Sequence, residues 1–317
     1  MLDRLPAMTR VSAIIPVYNG AATVADAIRS ALAQSLADLE IIVVDDGSTD
    51  ATPAVLDQFG DRIRAIRQPN AGSSAARNRG AAAAAGEYLA FLDADDIWAP
   101  AMAERCAAAL DAHPECVMAF ANLALVDSDG RDLGAPLIGP GFDHAPALDE
   151  MLARLWPIMP SAMMVRRSSY EAAGGFDARF RFGFEDVEFT LRLRELGAFW
   201  FIPEPLAKWR FAFFPRQFKT GWQRPEAVAL LDQTLRARYG VSADVMIAGR
   251  GRASRSILGY IGLRALGRGD RAAAREAFRR ALQLDPWRMR NIMRYLRTFL
   301  PPSLARALSG RTGAAGR

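Results

Sequence analysis

The sequence has very little cysteine and histidine. It contains two cysteines, Cys106 and Cys116, and two histidines, His113 and His144, in 317 residues. Two cysteines at this spacing make neither a disulfide framework nor a zinc motif, so buried thiols are expected. The scarcity of histidine excludes a histidine-rich metal site.

Long apolar runs are absent as well. The longest stretch without a charge, residues 11–25, is interrupted by Pro16, Asn19 and Gly20. A membrane span needs about 20 apolar residues, so none is expected. Residues 1–10 mix acidic and basic side chains without the apolar core of a signal peptide. These features predict a cytoplasmic protein.

Charge is divided unevenly along the chain. Residues 251–317 contain 15 arginines and three acidic residues, a net charge of +12. Because the whole chain carries +5, the preceding residues carry −7. The acidic part suits a cationic cofactor and the basic tail an anionic partner, although the tail can equally be a solvated helical surface.

The first hundred residues alternate between strand and helix patterns. Strands are predicted at 11–17, 39–44, 62–67 and 88–92, and helices after 23, from 52 and at 73–85, the last ended by Gly86. Such alternation predicts a mostly parallel, Rossmann-like sheet with helices on both faces. Farther along, a helix is predicted at 185–196, and beyond 220 only helical patterns occur.

Carboxylates follow two of the predicted strands. Asp45 and Asp46 come directly after the second strand, and Asp93, Asp95 and Asp96 after the fourth. Ligands of parallel sheets bind beyond the carboxyl ends of the strands. The pair Asp93 and Asp95 offers hard oxygen ligands of the kind that Mg²⁺ or Mn²⁺ takes together with water and substrate phosphates. Turn formation is the alternative reading of an isolated Asp-x-Asp.

Four segments then carry a resemblance to a known family. They are 11–19 (VSAIIPVYN), 42–50 (IVVDDGSTD), 70–80 (NAGSSAARNRG) and 86–96 (GEYLAFLDADD). In this order and at this spacing they resemble the family 2 glycosyltransferases, inverting enzymes with the GT-A fold. The resemblance implies a nucleotide-sugar-binding half at 1–98 and an acceptor-binding half at 99–219, followed by a basic helical region at 220–317.

The resemblance also implies roles for residues in these segments. Pro16, Tyr18 and Asp46 would line the nucleotide pocket, with Asp46 on the base. Arg77 would approach the nucleotide or its phosphates, unless it is an exposed helical arginine. Asp93 would lie by the ribose and the metal.

The direct metal ligand implied by the resemblance is Asp95. The metal would be Mg²⁺ or Mn²⁺, with Asp93 as the second carboxylate and Asp96 as the third acid of the segment.

The general base is implied in the second half of the chain. Residues 183–186 (GFED) match the Glu-Asp motif of the family, which makes Asp186 the base and Glu185 an acceptor or diphosphate contact. A carboxylate at a helix N-terminus is held ionised by the helix dipole, which suits proton abstraction. The alternative is that Glu185 and Asp186 only complement the helix terminus.

One position departs from the family pattern. Many relatives carry an aromatic-Arg-x-His segment after this helix, whereas residues 209–212 read WRFA and place Ala212 where histidine would fall. Arg210 can still contact the diphosphate or be structural. A metal would then depend more on Asp95, phosphate and water.

The sequence therefore predicts transfer of a sugar from a nucleotide-diphosphate donor, most often a UDP-sugar, to a saccharide or lipid-linked acceptor, without nucleic acid. A non-catalytic nucleotide-sugar-binding or scaffolding relative is the rival from another class. A nucleotidyltransferase is disfavoured because no glycine-rich phosphate loop follows the first strand.

The C-terminal region allows a further hypothesis. Between 287 and 300, aromatic and aliphatic side chains alternate with Arg288, Arg290, Arg294 and Arg297. Such a segment can lie on an anionic membrane surface, which would place the protein peripherally at the inner face of the membrane. Packing of the apolar face onto the catalytic domain is the alternative.

Overall fold

A computed structural model describes residues 9–126, 131–139, 142–181, 183–210 and 224–300. The chain divides into two compact units, Met1–Val245 and Met246–Arg317. The predicted boundary between 219 and 220 lies in the segment 211–223, outside the described residues. The three-part division of the chain therefore stays a prediction.

The described residues include nine strands and eleven α-helices. The strands are β1 (Val11–Val17), β2 (Leu39–Asp45), β3 (Arg64–Arg67), β4 (Tyr88–Phe91), β5 (Ile97–Trp98), β6 (Cys116–Val126), β7 (Asp132–Pro136), β8 (Met163–Arg166) and β9 (Ala198–Arg210). The helices are α1 (Val24–Leu32), α2 (Thr52–Asp57), α3 (Ser73–Ala83), α4 (Met102–Ala112), α5 (Leu148–Ala153), α6 (Arg167–Ala172), α7 (Glu185–Leu196), α8 (Pro225–Tyr239), α9 (Asp244–Gly267), α10 (Arg271–Leu284) and α11 (Met289–Arg297).

All nine strands belong to one sheet. Its order is β3-β2-β1-β4-β8-β6-β9-β5, and β7 pairs with β6. Strands β3, β2, β1, β4, β6 and β9 run in one direction, while β8, β5 and β7 run in the other. The mostly parallel sheet flanked by helices that the sequence predicted is confirmed.

The pairing of the first strand with its two neighbours determines where the acids of the site lie. Every residue of β1 is buried, as expected for a strand that is covered on both faces. It pairs in parallel with β2, where Val17 lies opposite Asp45, and with β4, where Ile14 lies opposite Phe91. The acids that follow β2 and β4 therefore lie beyond the same edge of the sheet.

The main core forms where α1 and α4 pack on the sheet. Val11, Ile15, Ile28 and Cys106 have no exposed surface. Both Cys106 and Cys116 are free, buried thiols, as predicted. Burial raises the pKa of Cys106 to about 12, so this thiol is inert at neutral pH.

Helix α3 lies unusually close to the sheet because of a glycine. A Cβ on Gly80 would lie 2.5 Å from Cγ2 of Ile14 and 3.3 Å from Cγ2 of Val44. The expectation that Gly86 ends this helix is wrong, since the helix ends at Ala83. A Cβ on Gly86 would lie 2.6 Å from the backbone nitrogen of Ser12, so this glycine permits a close backbone approach.

Strand β9 was not predicted from the sequence. It carries Pro203 and Pro205, and its register with β6 shifts beside them. Proline removes a backbone donor and interrupts the alternation by which strands are recognised. The strand runs parallel to β6 and pairs Arg210 with Val126, which brings Arg210 to the acidic edge of the sheet.

The second unit is helical, as predicted. The ring of Phe278 on α10 packs directly on the backbone of Gly262 in α9, where a Cβ would lie 2.5 Å from a ring carbon. The side chain of Asp270 caps α10 by accepting a hydrogen bond from the Ala273 backbone at 2.9 Å.

Among the helices described, none is both long and apolar enough to cross a membrane.

Candidate active site

The loop after β1 is tied to the loop after β2. Asn19 adopts a left-handed conformation with φ 50°. Its Oδ1 accepts hydrogen bonds from the backbone of Thr49 at 2.8 Å and of Asp50 at 3.3 Å. This arrangement presents Tyr18, which is 45% exposed, at the edge of the sheet. Pro16 lies two residues before Tyr18, buried within β1 and paired with Val44 of β2.

Asp46 is buried and binds protein donors with both oxygens. Its Oδ1 accepts hydrogen bonds from Nε2 of Gln68 at 2.8 Å and from the Ala71 backbone at 2.9 Å. Its Oδ2 accepts a hydrogen bond from the Gly72 backbone at 2.8 Å. The carboxylate therefore organises the segment that leads into α3. The implied contact of Asp46 with a nucleotide base stays a prediction.

Arg77 connects the acidic loop after β4 with the start of α7. Its guanidinium donates to Oδ1 of Asp93 at 2.6 Å and to Oε1 of Glu185 at 3.3 Å, and it lies 5.2 Å from the ring centre of Phe176. Arg77 is only 3% exposed, so the alternative of an exposed helical arginine is wrong. Burial alone would lower its pKa, but the charges of Asp93 and Glu185 raise it above the ordinary value.

The three acids after β4 differ in their surroundings. Asp96 is 1% exposed; its carboxylate accepts hydrogen bonds from the hydroxyl of Ser161 and from the Arg210 backbone, the latter at 3.0 Å. Ser161 Oγ in turn accepts the backbone N–H of Asp93 at 3.0 Å. Asp96 and Ser161 thus hold the loop in place, while the side chains of Asp93 and Asp95 remain accessible to solvent.

The acids also affect one another electrostatically. Solvent reaches Asp95, yet the surrounding protein still limits its hydration. That desolvation and the charge of Asp93 raise the pKa of Asp95 to about 6, against the opposing charges of Arg210 and Arg77. Burial and the charges of Asp95 and Asp93 raise the pKa of Asp96 well above its usual range. A cation at this edge would relieve the repulsion.

The donor set at this edge fits Mg²⁺ or Mn²⁺. Across the described residues, no group of three His, Cys, Asp or Glu side chains forms a ready metal cage. Asp93 and Asp95 offer two accessible carboxylates, and Mg²⁺ is usually held by one or two carboxylates with water and substrate phosphate. The pair suits an ion that is completed by its substrate.

Helix α7 begins with an unusual backbone. Gly183 has φ 123° and Phe184 has φ 68°, a left-handed conformation that a phenylalanine rarely adopts. Phe184 has no exposed surface, and packing around its ring holds this conformation. Glu185 and Asp186 follow in the first helical turn, where the helix dipole favours carboxylates. Asp186 is 6% exposed, and its Oδ1 accepts the Val187 backbone N–H at 2.9 Å.

The segment before α7 is clamped to α3. The side chain of Asn78 donates to the Phe176 carbonyl at 2.7 Å and accepts the Phe176 backbone N–H at 2.9 Å. The hydroxyl of Ser74 donates to the Phe180 carbonyl at 3.1 Å. Asn78 and Ser161 were not singled out from the sequence. Their partners are distant along the chain, so no local pattern indicates their roles.

Arg210 lies between α1 and the acidic loop. Its guanidinium donates to Oδ2 of Asp26 at 3.1 Å, and its backbone donates to Asp96. Its charge also acts on Asp95. Ala212, the departure from the family pattern, lies in the segment 211–223 outside the described residues.

The predicted site residues thus differ in how the structure brings them together. Direct contacts join Arg77, Asp93 and Glu185, and Asp186 follows Glu185 on the same helical turn. Asp95 lies within electrostatic reach of Arg77 and Arg210. Tyr18 and Asp46 lie at the ends of the neighbouring strands, and Pro16 lies inside the sheet.

Part of the chain matches a family model and known proteins. The family model described as "Glycosyl transferase family 2" matches residues 12–172. An uncharacterized glycosyltransferase of Nostoc sp. is 38% identical over 148 residues, 45% of this chain and 44% of that protein. The succinoglycan biosynthesis protein ExoO of Rhizobium meliloti is 42% identical over 134 residues, 42% of this chain and 37% of that protein. The chain spans less than two thirds of the length of these relatives.

Solved structures share the fold. S. aureus TarS 1–349 in complex with UDP-GlcNAc superimposes with a TM-score of 0.56 at 17% identity, over 94% of this chain and 92% of TarS. At this identity the likeness concerns the fold alone.

Proposed function

Because the chain belongs to glycosyl transferase family 2 and has the GT-A fold of that family, we propose that it is an inverting enzyme that transfers a sugar from a nucleotide-diphosphate donor to an acceptor hydroxyl. One observation carries the proposal. Buried Arg77 binds both Asp93, at the carboxyl edge of the sheet, and Glu185, in the first turn of α7. The implied donor side and the implied base side of the site are thereby joined through one side chain.

The donor would bind at the carboxyl edge of β1, β2 and β4. Tyr18 offers an exposed ring for the nucleotide, Asp46 a carboxylate for the base, and Asp93 a carboxylate beside the ribose. Arg77 would lie near the phosphates. A UDP-sugar is the proposed donor class, in keeping with the UDP-GlcNAc bound by TarS.

The proposed acceptor is a saccharide or a lipid-linked saccharide. The name of the relative ExoO refers to biosynthesis of a polysaccharide, succinoglycan, which supports this class. The proposed location is cytoplasmic. A lipid-linked acceptor would be presented at a membrane, so the proposal includes peripheral contact of the basic C-terminal helices with the inner face of an anionic membrane.

Asp95, with Asp93, would hold the divalent cation. When bound there, Mg²⁺ or Mn²⁺ would supply a Lewis acid that neutralises charge on the departing diphosphate. Arg77 would hold Asp93 in position, and Arg210 would add positive charge near Asp95. The accessibility of both carboxylates supports this assignment.

Asp186 would act as the general base. Its carboxylate would take the proton of the acceptor hydroxyl while the acceptor oxygen forms a bond to the anomeric carbon. The bond between that carbon and the diphosphate oxygen breaks at the same time, and the configuration inverts. The rigid start of α7 and the clamp through Asn78 would hold the base in place, so positioning provides a large part of the rate.

Measuring release of nucleoside diphosphate from a panel of nucleotide sugars with Mn²⁺ and an acceptor mixture tests the proposal. We expect release from one donor class, together with a donor-dependent rise in the melting temperature. A rise without release would favour the rival, a nucleotide-sugar-binding protein without catalysis. Neither effect with any donor would refute both readings.

A further inference from the structure

Helix α11 exposes apolar side chains on one face. Met289, Met293 and Leu296 recur at positions i, i+4 and i+7 and are 67%, 58% and 53% exposed. Trp287 before the helix is 88% exposed, and Phe299 after it is 54% exposed. We call Met289, Met293 and Leu296 the outer face of α11. Their helical spacing places them on one side of the helix, which distinguishes them from the single apolar side chains common on protein surfaces.

The opposite side of the helix buries polar groups. Asn291 is 3% exposed and Thr298 has no exposed surface. The Thr298 hydroxyl donates to the Tyr295 carbonyl at 2.7 Å. A helix on the surface of a protein in water normally buries its apolar side and exposes its polar side. In α11 the buried residue is the polar Asn291, while the three residues of the outer face stay exposed, so this face suits an apolar environment.

Positive charge flanks the outer face. Arg288 and Arg290 are exposed, and Arg294 is partly buried. None of the ion pairs found within the described part of the chain includes these three arginines. Arg290 and Arg294 lie one turn apart on α11. Burial, together with the charges of Arg290 and Arg288, lowers the pKa of Arg294.

The acids of this region are already engaged elsewhere. Asp270 caps α10, Glu276 pairs with Arg279 and Arg280, and Asp285 lies 3.7 Å from Arg255. The segment 251–317 contains no other acidic residue. The acidic residues of this segment therefore leave Arg288 and Arg290 available to an external anion.

These observations favour a lipid surface over other partners. A second copy of the chain docked through the same face would bring the arginines of both copies to one interface, and like charges at an interface are unfavourable. Nucleic acid would pair with the arginines but would leave the methionine and leucine side chains in water. An anionic membrane offers phosphates and an apolar layer at the same time.

We propose that the outer face of α11 binds an anionic membrane, with Met289, Met293 and Leu296 inserted among the headgroups and Arg288 and Arg290 on lipid phosphates. This deepens the membrane contact of the proposed function, but it rests on α11 and does not require glycosyl transfer. The helix lies in the plane of the interface, because nine residues span only about 14 Å.

Co-sedimentation of the full chain with vesicles tests the proposal. We expect binding to phosphatidylserine-containing phosphatidylcholine vesicles that weakens as salt rises, and far less binding to pure phosphatidylcholine. A triple variant, Met289→Ser, Met293→Ser and Leu296→Ser, is expected to lose at least about tenfold in binding. The matched control Leu263→Ser, a partly exposed leucine of α9, keeps wild-type binding.

The charge contribution is tested separately. Replacing Arg288 and Arg290 with glutamine should weaken binding about 30-fold, since each basic residue at an anionic surface contributes about fivefold. Replacing both with lysine should leave binding nearly unchanged. A melting curve for each variant confirms that the fold is kept.

Three results would overturn the proposal. They are absence of binding to anionic vesicles at low salt, wild-type binding by the triple variant, and a concentration-dependent dimer that the triple variant abolishes while vesicles have no effect. Nucleotide release measured without vesicles reports on catalysis alone, so failure of one proposal is distinguishable from failure of the other.

Discussion

Asp46 and Asp96 both lie in acidic motifs, and both are buried carboxylates that bind protein donors. From the sequence they are hard to separate from Asp93 and Asp95, whose side chains solvent reaches. The difference arises from distant partners such as Gln68, Ser161 and Arg210. Residue types could therefore be predicted from the motifs, whereas the division between buried and accessible acids required the tertiary structure.

Replacing Asp186 with asparagine tests the proposed base. The variant keeps the shape of the side chain but cannot accept a proton, so we expect turnover to fall about 10²–10⁴-fold. Donor binding, measured by thermal shift, should change little. Glu226→Gln is a matched control because it removes an exposed first-turn acid from another helix, α8. Near-normal turnover in Asp186→Asn would exclude this residue as the base.

Replacing Arg77 with glutamine tests the connection between the acidic loop after β4 and the start of α7. The change leaves Asp93 and Glu185 without their shared cation, and we expect the free energy of unfolding to fall by about 3 kcal/mol. That is the low end for a buried ion pair, because Asp93 keeps some contact with water.

Donor-induced stabilisation should also be lost in Arg77→Gln. The control Arg79→Gln, an exposed arginine two residues farther along α3, should stay within about 0.5 kcal/mol of the wild type. Equal stability of the two variants in urea unfolding would contradict the role assigned to Arg77.

At the scale of elements, periodicity predicted most of the first half. Strand β1 and helix α7 begin and end where the sequence placed them, because their apolar residues follow one period without interruption. Strand β9 was missed because Pro203 and Pro205 break that period. Its place in the sheet depends on pairing with β6, which is far away in sequence.

The close packing of α3 on the sheet yields a prediction. Gly80→Ala adds a Cβ that would lie 2.5 Å from Ile14, so α3 must move away from β1 and carry Arg77 with it. We expect a loss of about 1–3 kcal/mol in the free energy of unfolding, together with weaker donor binding.

A second glycine provides the control for this change. Gly267→Ala near the end of α9 places its Cβ in open space and should be neutral or stabilising by up to about 1 kcal/mol. Thermal unfolding of both variants gives the comparison. An unchanged melting temperature for Gly80→Ala would show that α3 is less tightly packed than described.

For the whole molecule, the division of charge could be read directly from the sequence. The part before residue 251 carries −7, and four of its acids, Asp46, Asp93, Asp95 and Asp96, lie at one edge of the sheet. How many compact units the chain forms could not be read in the same way. The division after Val245 depends on which helices contact the sheet unit, and helical patterns alone do not indicate that.

The acidic edge predicts a metal requirement. Treatment with EDTA should abolish nucleotide release, and added Mn²⁺ or Mg²⁺ should restore it, because Asp95 and Asp93 repel each other and the diphosphate without a cation. The double variant Asp93→Asn with Asp95→Asn should not recover on metal addition. Full activity in EDTA would contradict the assignment of a metal site.

In the loops around Tyr18 and Asp46, side-chain oxygens accept hydrogen bonds from the backbone of neighbouring loops without any ligand. Their conformational entropy is therefore lost when the chain folds and not when a nucleotide binds. A nucleotide bound at this edge, as proposed, would meet loops that are already ordered. Selectivity among nucleotides should then reflect shape and hydrogen bonding at fixed positions. Because the loops are held by shared hydrogen bonds, a single loop mutation should alter recognition of every nucleotide at once.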